Sequence, residues 1–423
     1  MSAPFSRYQK SHELFERASR VVPCGIYGHT SPAVSLPGAF PYYAQKAEGA
    51  RYWDVDGNEY IDWMCGYGPM ILGHQNPVVE EAAARAQRDA LCLNHPGPVM
   101  VDLAEYLVET VDFAAWAVFG KNGSDMATWT IQVAREATKR KKILKVAGAY
   151  HGIDPWCTPG HAGLIEEDRL HIHDFPWNDL DAFEARLKEF RGEVAAVILT
   201  PFHHPAFRPS ELPAAGYLQG IEAACRRDGV LLILDDIRAG FRLHHGGSHR
   251  YFGFEPDLIC FCKAIANGHP LSAALGRKEL RVAASKVFLT GSYWNSPPPM
   301  AAALACLGLL EKSDAVAAIR RTGEALMDGL VAAGARHGYR TLASGPPALP
   351  LLTVADDPSL RRQQRWCAEA TRRGAFLHPH HNWFVSAAHT ADDVARTVAI
   401  ADEAFAALRD AEKKNPALFG ARA

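Results

Sequence analysis

Short apolar runs alternate with amphipathic helix patterns between about residues 100 and 284, and this alternation constrains the fold most. The candidate strands are 115–119, 143–147, 195–200, 230–234 and 258–262, and helix patterns such as 126–139 and 218–227 lie between them. Strands that alternate with helices fold into a parallel sheet covered on both faces, so we expect an α/β domain with a mostly parallel sheet. Ligands bind such sheets at the carboxyl ends of the strands.

Two of these apolar runs are followed by charged residues. Asp235 comes after residues 230–234, and Lys263 comes after residues 258–262. A lysine and a carboxylate at one edge of a sheet could hold the two ends of a pyridoxal phosphate ring. The lysine would form a Schiff base with the aldehyde, and the carboxylate would keep the ring nitrogen protonated. The alternative is a partly exposed ion pair at the rim of the sheet, which these two residues alone leave open.

Three loops carry groups that could contact such a cofactor. Gly123 and Ser124 precede a helix pattern and offer backbone N–H groups and a hydroxyl to a phosphate. Tyr150 follows a strand and could stack on a flat ring. The Gly/Ser/Pro loop 291–297 could supply hydroxyl groups. Taken singly, each has a plainer interpretation: a helix N-cap, a half-buried loop tyrosine and an ordinary loop.

Composition limits the possible functions. The 423 residues have a formal net charge of −2, which gives no electrostatic case for binding nucleic acid or an anionic membrane. The sequence shows no run of 18 apolar residues and no signal-peptide pattern at the start, so we expect a cytoplasmic protein. Nine scattered cysteines without a second pair at zinc-ligand spacing predict buried reduced thiols and no metal site.

The pattern along the chain predicts three parts: an N-terminal segment (1–70), a large cofactor-binding domain (71–310) and a small α+β C-terminal domain (311–423). In the first part we expect a helix at 11–22 and a hairpin turn at Asp56 and Gly57. Further helices are predicted at 77–92, 300–310, 314–337 and 391–413, and short strands at 350–354 and 383–386.

Several ordered stretches, at 13–18, 52–57, 68–74 and 240–242, carry a family resemblance. The chain resembles the fold-type I pyridoxal-phosphate enzymes of the class III aminotransferase group, and within it glutamate-1-semialdehyde aminomutase. The resemblance covers nearly the whole chain. It implies a large domain with a mostly parallel seven-stranded sheet, a small α+β domain and pyridoxal 5′-phosphate as the cofactor.

The resemblance also implies a role for individual residues. Lys263 should be the catalytic Schiff-base lysine and the group that moves the α-proton. The implied cofactor contacts are Asp235 at the pyridine nitrogen, Ile237 and Tyr150 on the two ring faces, His151 close to the ring, Gly123 and Ser124 at the phosphate, and Ser292 at the phosphate of the neighbouring subunit. That last role implies a homodimer with active sites at its interface.

Departures from the family pattern bear on the substrate. Thr200 stands where a glutamate is usual, and Cys262 stands where the residue before the lysine is usually small. The stretch 29–35 has no arginine, although aminomutase-like enzymes are expected to hold a substrate carboxylate there with one. We therefore expect a substrate unlike glutamate semialdehyde.

Polar, neutral and aromatic side chains replace that arginine, and such groups suit a polyhydroxylated ring. The candidate substrate contacts are Tyr67, His29, His203, His204 and His381. For any single histidine, a solvated structural loop is the plainer interpretation. Our hypothesis is an aminotransferase that moves an amino group between an amino donor and a sugar-like carbonyl, such as an aminoglycoside or aminosugar intermediate of antibiotic biosynthesis.

Two other classes of function stay open from the sequence. One is an epimerase or aminomutase on an aminosugar, or a glutamate-1-semialdehyde-type aminomutase, none of which needs an amino-acid donor. The other is a cofactor-binding regulatory protein without turnover. A Lys263→Ala variant separates the latter from an enzyme, because an enzyme would lose turnover whereas an interaction protein would keep its role.

Overall fold

The computed structural model describes residues 6–26, 36–39, 43–205 and 207–419. The chain divides into two compact units. One contains the described residues of Met1–Gln75, Ala206–Ser210 and Ala317–Ala423, which we call the terminal unit; the other contains Asn76–Pro205 and Glu211–Val316, which we call the catalytic unit. The division of the chain into three parts at residues 70 and 310, which the sequence predicts, stays a prediction.

The strands are β1 (Ala44–Glu48), β2 (Arg51–Asp54), β3 (Glu59–Asp62), β4 (Trp116–Gly120), β5 (Lys142–Val146), β6 (Ile172–Phe175), β7 (Val194–Leu199), β8 (Leu231–Asp235), β9 (Leu258–Phe261), β10 (Ser272–Gly276), β11 (Thr341–Ser344), β12 (Leu351–Val354) and β13 (Ala375–Phe376).

The α-helices are α1 (Gln9–Ala18), α2 (Pro77–Asp89), α3 (Pro98–Thr110), α4 (Gly123–Thr138), α5 (Leu180–Glu189), α6 (Tyr217–Asp228), α7 (Ser248–Phe252), α8 (Arg281–Lys286), α9 (Pro297–Lys312), α10 (Ala315–Arg336), α11 (Arg361–Arg372), α12 (Ala391–Lys414) and α13 (Pro416–Phe419). Short 3₁₀ helices span Ser6–Tyr8, Glu166–Asp168, Lys263–Ala266 and Lys278–Leu280.

In the described residues, the catalytic unit contains a seven-stranded sheet in the order β4-β10-β9-β8-β7-β5-β6. Strands β6, β5, β7, β8 and β9 run parallel, whereas β10 is antiparallel to both of its neighbours. The predicted mostly parallel sheet is confirmed. The parallel strands also share one carboxyl edge, where the loops that follow β6, β7, β8 and β9 meet.

Helix α4 covers one face of this sheet and explains why its strands are so apolar. Met126, Ile131 and Val133 of the helix are buried in one cluster with Ile198 of β7 and Ile233 of β8. All six residues of β7 are buried, as expected for a parallel strand covered on both faces. Burying a large aliphatic side chain contributes about 1.5–3 kcal/mol, so this layer stabilises the packing of the helix on the sheet.

The terminal unit contains a four-stranded sheet in the order β1-β2-β3-β13 and a two-stranded pair, β11 and β12. Strands β2 and β3 are antiparallel, and Gly57 adopts a φ of 86° in the turn between them, so the predicted hairpin turn is confirmed. Aspartate Asp54 accepts hydrogen bonds from the backbone N–H groups of Asp56 and Asn58 at 3.1 and 2.8 Å, which fixes this turn.

The predicted strand at 383–386 is wrong. The segment is extended, but its N–H groups donate to three separate places: Trp383 to Pro350, Phe384 to Trp63 and Val385 to Ala348. No single strand therefore lies alongside it to form a ladder. Its apolar side chains are buried as those of a strand would be, which is why periodicity alone misassigned it.

Two strands of the central sheet, β6 and β10, were not predicted. Strand β6 contains a histidine and an aspartate, and β10 consists mainly of small residues, so neither has the apolar signal of the other strands. Helix α1 begins and ends earlier than the predicted 11–22, and six helices of the described residues were not predicted: α3, α5, α7, α8, α11 and α13.

The nine cysteines are all free thiols, but burial was predicted too broadly. Cys24 and Cys92 are exposed. No helix of the described residues is long and apolar enough to cross a membrane. Among those residues no three histidine, cysteine, aspartate or glutamate side chains form a group that could hold a metal ion.

Candidate active site

The carboxyl edge of the parallel sheet brings Asp235 and Lys263 to the same place. Asp235 is the last residue of β8 and pairs in register with Cys260 of β9. Lys263 follows Cys262 directly after β9 and begins a 3₁₀ helix. Because the two strands are parallel neighbours, the carboxylate and the amine leave the sheet on the same side. Lys263 has a φ of 48°, a left-handed conformation that costs free energy in a non-glycine residue.

A histidine holds the carboxylate of Asp235. His151 Nδ1 lies 2.7 Å from Asp235 Oδ2, and the backbone N–H of Ile237 donates to Oδ1 at 3.2 Å. Both His151 and Asp235 are buried, and Trp156 stacks on the imidazole at a centroid distance of 6.0 Å. Because an ionised carboxylate accepts, the imidazole donates its Nδ1–H and is fixed in orientation.

The amine of Lys263 is prepared to react near neutral pH. Burial, assisted by the positive charge of Arg238 and opposed by Asp235, lowers the pKa of Lys263 to about 8. An amine must be neutral to attack an aldehyde, so a lowered pKa increases the reactive fraction at neutral pH.

The loop before α4 forms a cradle for an anion. Asp125 accepts the N–H groups of Lys121 and Asn122 at 3.0 and 2.8 Å, which leaves the first-turn N–H groups of Gly123 and Ser124 directed toward the helix terminus. A side chain at Gly123 would lie 2.7 Å from Ile237 Cδ1, so only glycine allows the loop to approach the residue predicted under the ring. This geometry fits a phosphate at a helix N-terminus.

The hydroxyl proton of Ser124 is available to donate a hydrogen bond to a ligand. Its Oγ accepts the N–H of Ile153 at 3.1 Å, which leaves the O–H to donate. Gly152 packs directly on this serine, and its φ of 131° is a conformation that glycine adopts readily. The residues after Tyr150 and His151 therefore bring the 148–153 loop against the anion cradle.

The other predicted cofactor residues lie nearer to solvent. Tyr150 is 46% exposed, and its pKa is raised by burial and by Asp235 and lowered by Arg238, so all three lie in one neighbourhood. Ser292 is exposed in the loop before α9, where its carbonyl accepts a bond from the Cys92 thiol at 3.1 Å.

The predicted substrate residues separate into three groups. His203 and His204 are buried in the catalytic unit, beyond the carboxyl end of β7. Tyr67 and His381 lie together in the terminal unit, with ring centroids 5.4 Å apart. His29 lies outside the described residues.

Sequence reasoning missed three residues of the catalytic unit. Arg238 acts electrostatically on Lys263 and on Tyr150. Trp177 stacks on His203 at a centroid distance of 5.8 Å. The Nζ atom of Lys121 is buried without a hydrogen-bond partner in the described residues, two positions before the anion cradle. The signal for Arg238 was present, since it lies three residues after Asp235 at a strand end, whereas Trp177 follows a strand that was not predicted.

Comparison with known proteins agrees with this geometry. Residues 35–388 match the family model described as Aminotransferase class-III. The chain belongs to the class III aminotransferase family. It is 42% identical over 408 residues to the aminopentol aminotransferase of Sphingopyxis macrogoltabida, covering 96% of each chain. It is also 31% identical over 428 residues to a glutamate-1-semialdehyde 2,1-aminomutase of Desulforamulus reducens, covering 95% of this chain and 98% of the relative.

A solved structure supports the same assignment. The structure of the pyridoxal phosphate internal aldimine form of the FumI protein from Sphingopyxis sp. MTA144 superposes with a TM-score of 0.94 at 40% identity, covering 98% of this chain and 99% of that one. The fold predicted from the resemblance is therefore confirmed, and so are the aminotransferase class and the cofactor, pyridoxal phosphate.

The residues of the catalytic unit of this class III aminotransferase fit that cofactor. Lys263 would hold its aldehyde carbon, Asp235 its ring nitrogen, and Gly123 and Ser124 its phosphate. When bound, pyridoxal phosphate serves as an electron sink for the carbon that loses a proton. His151 keeps Asp235 hydrogen-bonded and fixed in orientation. With the cofactor bound, the Nζ of Lys263 would take a proton from the donor carbon and return it later.

The bond between His151 and Asp235 generates a testable prediction. Replacing His151 with leucine removes the donor to a buried carboxylate, which costs about 1–3 kcal/mol. We expect His151→Leu to bind pyridoxal phosphate roughly 5- to 150-fold more weakly, measured by fluorescence titration of the apoprotein, because the carboxylate is no longer held for the ring nitrogen.

The exposed His161, which lies in a surface segment after the same loop, supplies the control. His161→Leu should leave the dissociation constant of pyridoxal phosphate unchanged. Equal affinity in the His151→Leu and wild-type proteins would contradict the assigned role of this pair.

Proposed function

We propose that this enzyme transfers an amino group between a polyhydroxylated amine or its carbonyl counterpart, of the aminosugar type, and an amino-acid/keto-acid pair. The observation that carries the proposal is the 42% identity, over 96% of each chain, to a protein named aminopentol aminotransferase. The word aminopentol denotes an amine that bears five hydroxyl groups. Whether the hydroxyl groups stand on a ring, as in an aminoglycoside intermediate, or on an open chain is the finer question that the experiment below addresses.

Two aromatic side chains of the catalytic unit support a hydroxylated substrate. Trp177 follows β6 and His203 follows β7, so both lie at the carboxyl edge that presents Lys263. The Nε1 of Trp177 and the Nδ1 of His203 are buried and have no hydrogen-bond partner within the described residues. Buried polar atoms in folded proteins are nearly always paired, so a ligand or water is expected to complete them.

The charge state of His203 also suits the binding of a hydroxylated substrate. Burial lowers the pKa of His203 to about 4, and the positive charge of Arg238 acts in the same direction. The imidazole is therefore neutral at physiological pH and carries one donor and one acceptor nitrogen. A hydroxyl group both donates and accepts, so it complements a neutral imidazole beside an indole N–H.

A substrate comparison tests the proposal. The enzyme is mixed with pyruvate and either glucosamine, 1-amino-1-deoxysorbitol or hexylamine, and alanine formation is followed. We expect kcat/KM for at least one hydroxylated amine to exceed that for hexylamine by at least about tenfold, because a site built around buried polar groups rejects an analogue that leaves them unpaired. The cyclic and open-chain amines separate the two substrate geometries.

Trp177→Phe provides the matched variant, since it keeps an aromatic ring at this position while it removes the indole N–H together with the second ring. It should lower kcat/KM for the preferred hydroxylated amine about 5- to 10-fold, with hexylamine changed less than about twofold. Hexylamine turning over as well as the hydroxylated amines would contradict the proposal. Rearrangement of an amine without consumption of pyruvate would instead identify an aminomutase.

We also propose that the enzyme acts as a homodimer in which Ser292 reaches the phosphate of the neighbouring subunit. The exposed apolar side chains around this loop support the proposal: Phe288 is 84% and Tyr293 is 70% exposed. Large apolar groups left in water beside a functional loop are typical of a subunit interface. Analytical ultracentrifugation at the concentration used for turnover tests this, and an active monomer would contradict it.

A further inference from the structure

Arg238 lies next to residues that are proposed to bind the cofactor. It lies in the loop after β8, three residues beyond Asp235 and next to Ile237, the residue against which the anion cradle packs. It is half-buried. A strongly charged side chain at the carboxyl edge of the sheet, among the residues that hold the cofactor, needs a compensating anion.

Asp235 compensates this charge at a distance, but no anion of the described residues pairs directly with it. No hydrogen bond or ion pair joins the Arg238 side chain to another residue in the part of the chain that the structure describes. The nearby carboxylate of Asp235 is already committed, with one oxygen on the His151 ring and the other on the Ile237 N–H. The guanidinium is half-buried and makes no hydrogen bond to the described residues, so its five N–H donors are available to a ligand acceptor.

Its electrostatic effects place Arg238 beside the reacting groups. Burial lowers the pKa values of Lys263 and His203, and the charge of Arg238 acts in the same direction, whereas for Tyr150 this charge opposes the rise in pKa that burial causes. Burial lowers the pKa of Arg238 itself, while Asp235 and Tyr150 raise it. The guanidinium remains charged at neutral pH, so it is a fixed cation whose charge acts on both Lys263 and His203.

We propose that Arg238 binds the carboxylate of the amino-acid donor and of its keto-acid product. This inference rests on the proposed function, because a transaminase that accepts a polyhydroxylated amine must accept a carboxylate-bearing partner in the same site. A guanidinium presents two parallel N–H groups that match the two oxygens of a carboxylate. The stretch 29–35, where an arginine is expected to hold a substrate carboxylate in aminomutase-like relatives, contains none.

Arg238 thus supplies a cation from a different part of the chain. Its neighbours explain how one site accepts two chemically different substrates. The neutral His203 and the indole N–H of Trp177 would meet hydroxyl groups, whereas the guanidinium meets a carboxylate. Since the two substrates bind in alternation, neither has to displace the other.

The experiment compares propionate with its neutral analogue propionamide as ligands of the cofactor-loaded enzyme, using isothermal titration calorimetry. In the wild-type protein propionate should bind more tightly than propionamide. Arg238→Gln should weaken propionate binding about 10- to 150-fold, because hydrogen bonds to charged groups contribute about 1.5–3 kcal/mol, while propionamide binding changes less than about threefold. Arg238→Lys keeps the charge but not the fork and should lose less.

The affinity of each variant for pyridoxal phosphate is measured alongside, because anionic oxygens of the cofactor are the other candidate partner. Unchanged propionate binding in Arg238→Gln would overturn the proposal. Weaker cofactor binding with an unchanged propionate-to-propionamide ratio would also overturn it and assign the arginine to the cofactor. If hydroxylated amines fail as substrates while the carboxylate preference still depends on Arg238, the proposed amine substrate is wrong and this inference stands.

Discussion

Desolvation of charge at the carboxyl edge of the parallel sheet is the constraint on which the rest of this structure depends. Except for the half-buried Leu231, all residues of the apolar strands β8 and β9 are buried; β8 ends in the carboxylate of Asp235, and Lys263 follows two residues after β9. Burial makes charge costly, so each charged group acquires a partner or a shifted pKa. Asp235 is held by His151, whereas Lys263 becomes easier to deprotonate. The chemistry of the site follows from these two responses to the same environment.

The same physical argument explains why the positions of Asp235 and Lys263 at the sheet edge were predictable, whereas those of Trp177 and Arg238 were not. Buried parallel strands have an unmistakable apolar signal, and whatever follows them must lie at one edge, so Asp235 and Lys263 were placed by pattern alone. The family resemblance then supplied the residues at the phosphate and the ring. The proposed substrate contacts come from loops whose positions depend on packing, which a sequence pattern does not reveal. Trp177 follows a strand that is too short and polar to be recognised. Arg238 was not singled out, although it lies between Ile237 and the stretch 240–242, which both were.

Some elements of the fold were likewise predictable from the sequence and others were not. Helix α4 and strands β7, β8 and β9 were found within a few residues of their true ends, because long periodic helices and apolar strands carry their own signal. Segment 383–386 has the apolar character of a strand but donates its N–H groups to three separate places. Strand β10 is composed of small residues and is held in the sheet by its two neighbours rather than by its own sequence. Tertiary context decides such cases, and a single sequence does not contain it.

The assignment of the active site requires that the cofactor be attached to Lys263. A second lysine is the alternative attachment point that has to be excluded. Lys121 also lies beside the anion cradle, and burial lowers its pKa too. The decisive measurement is reduction of the cofactor-loaded protein with borohydride, followed by peptide mass spectrometry. Our account predicts a pyridoxyl-phosphate adduct on Lys263 and none on Lys121, and persistence of this result in a Lys121→Met protein. An adduct on Lys121, or no adduct on Lys263, would contradict the assignment of the active site.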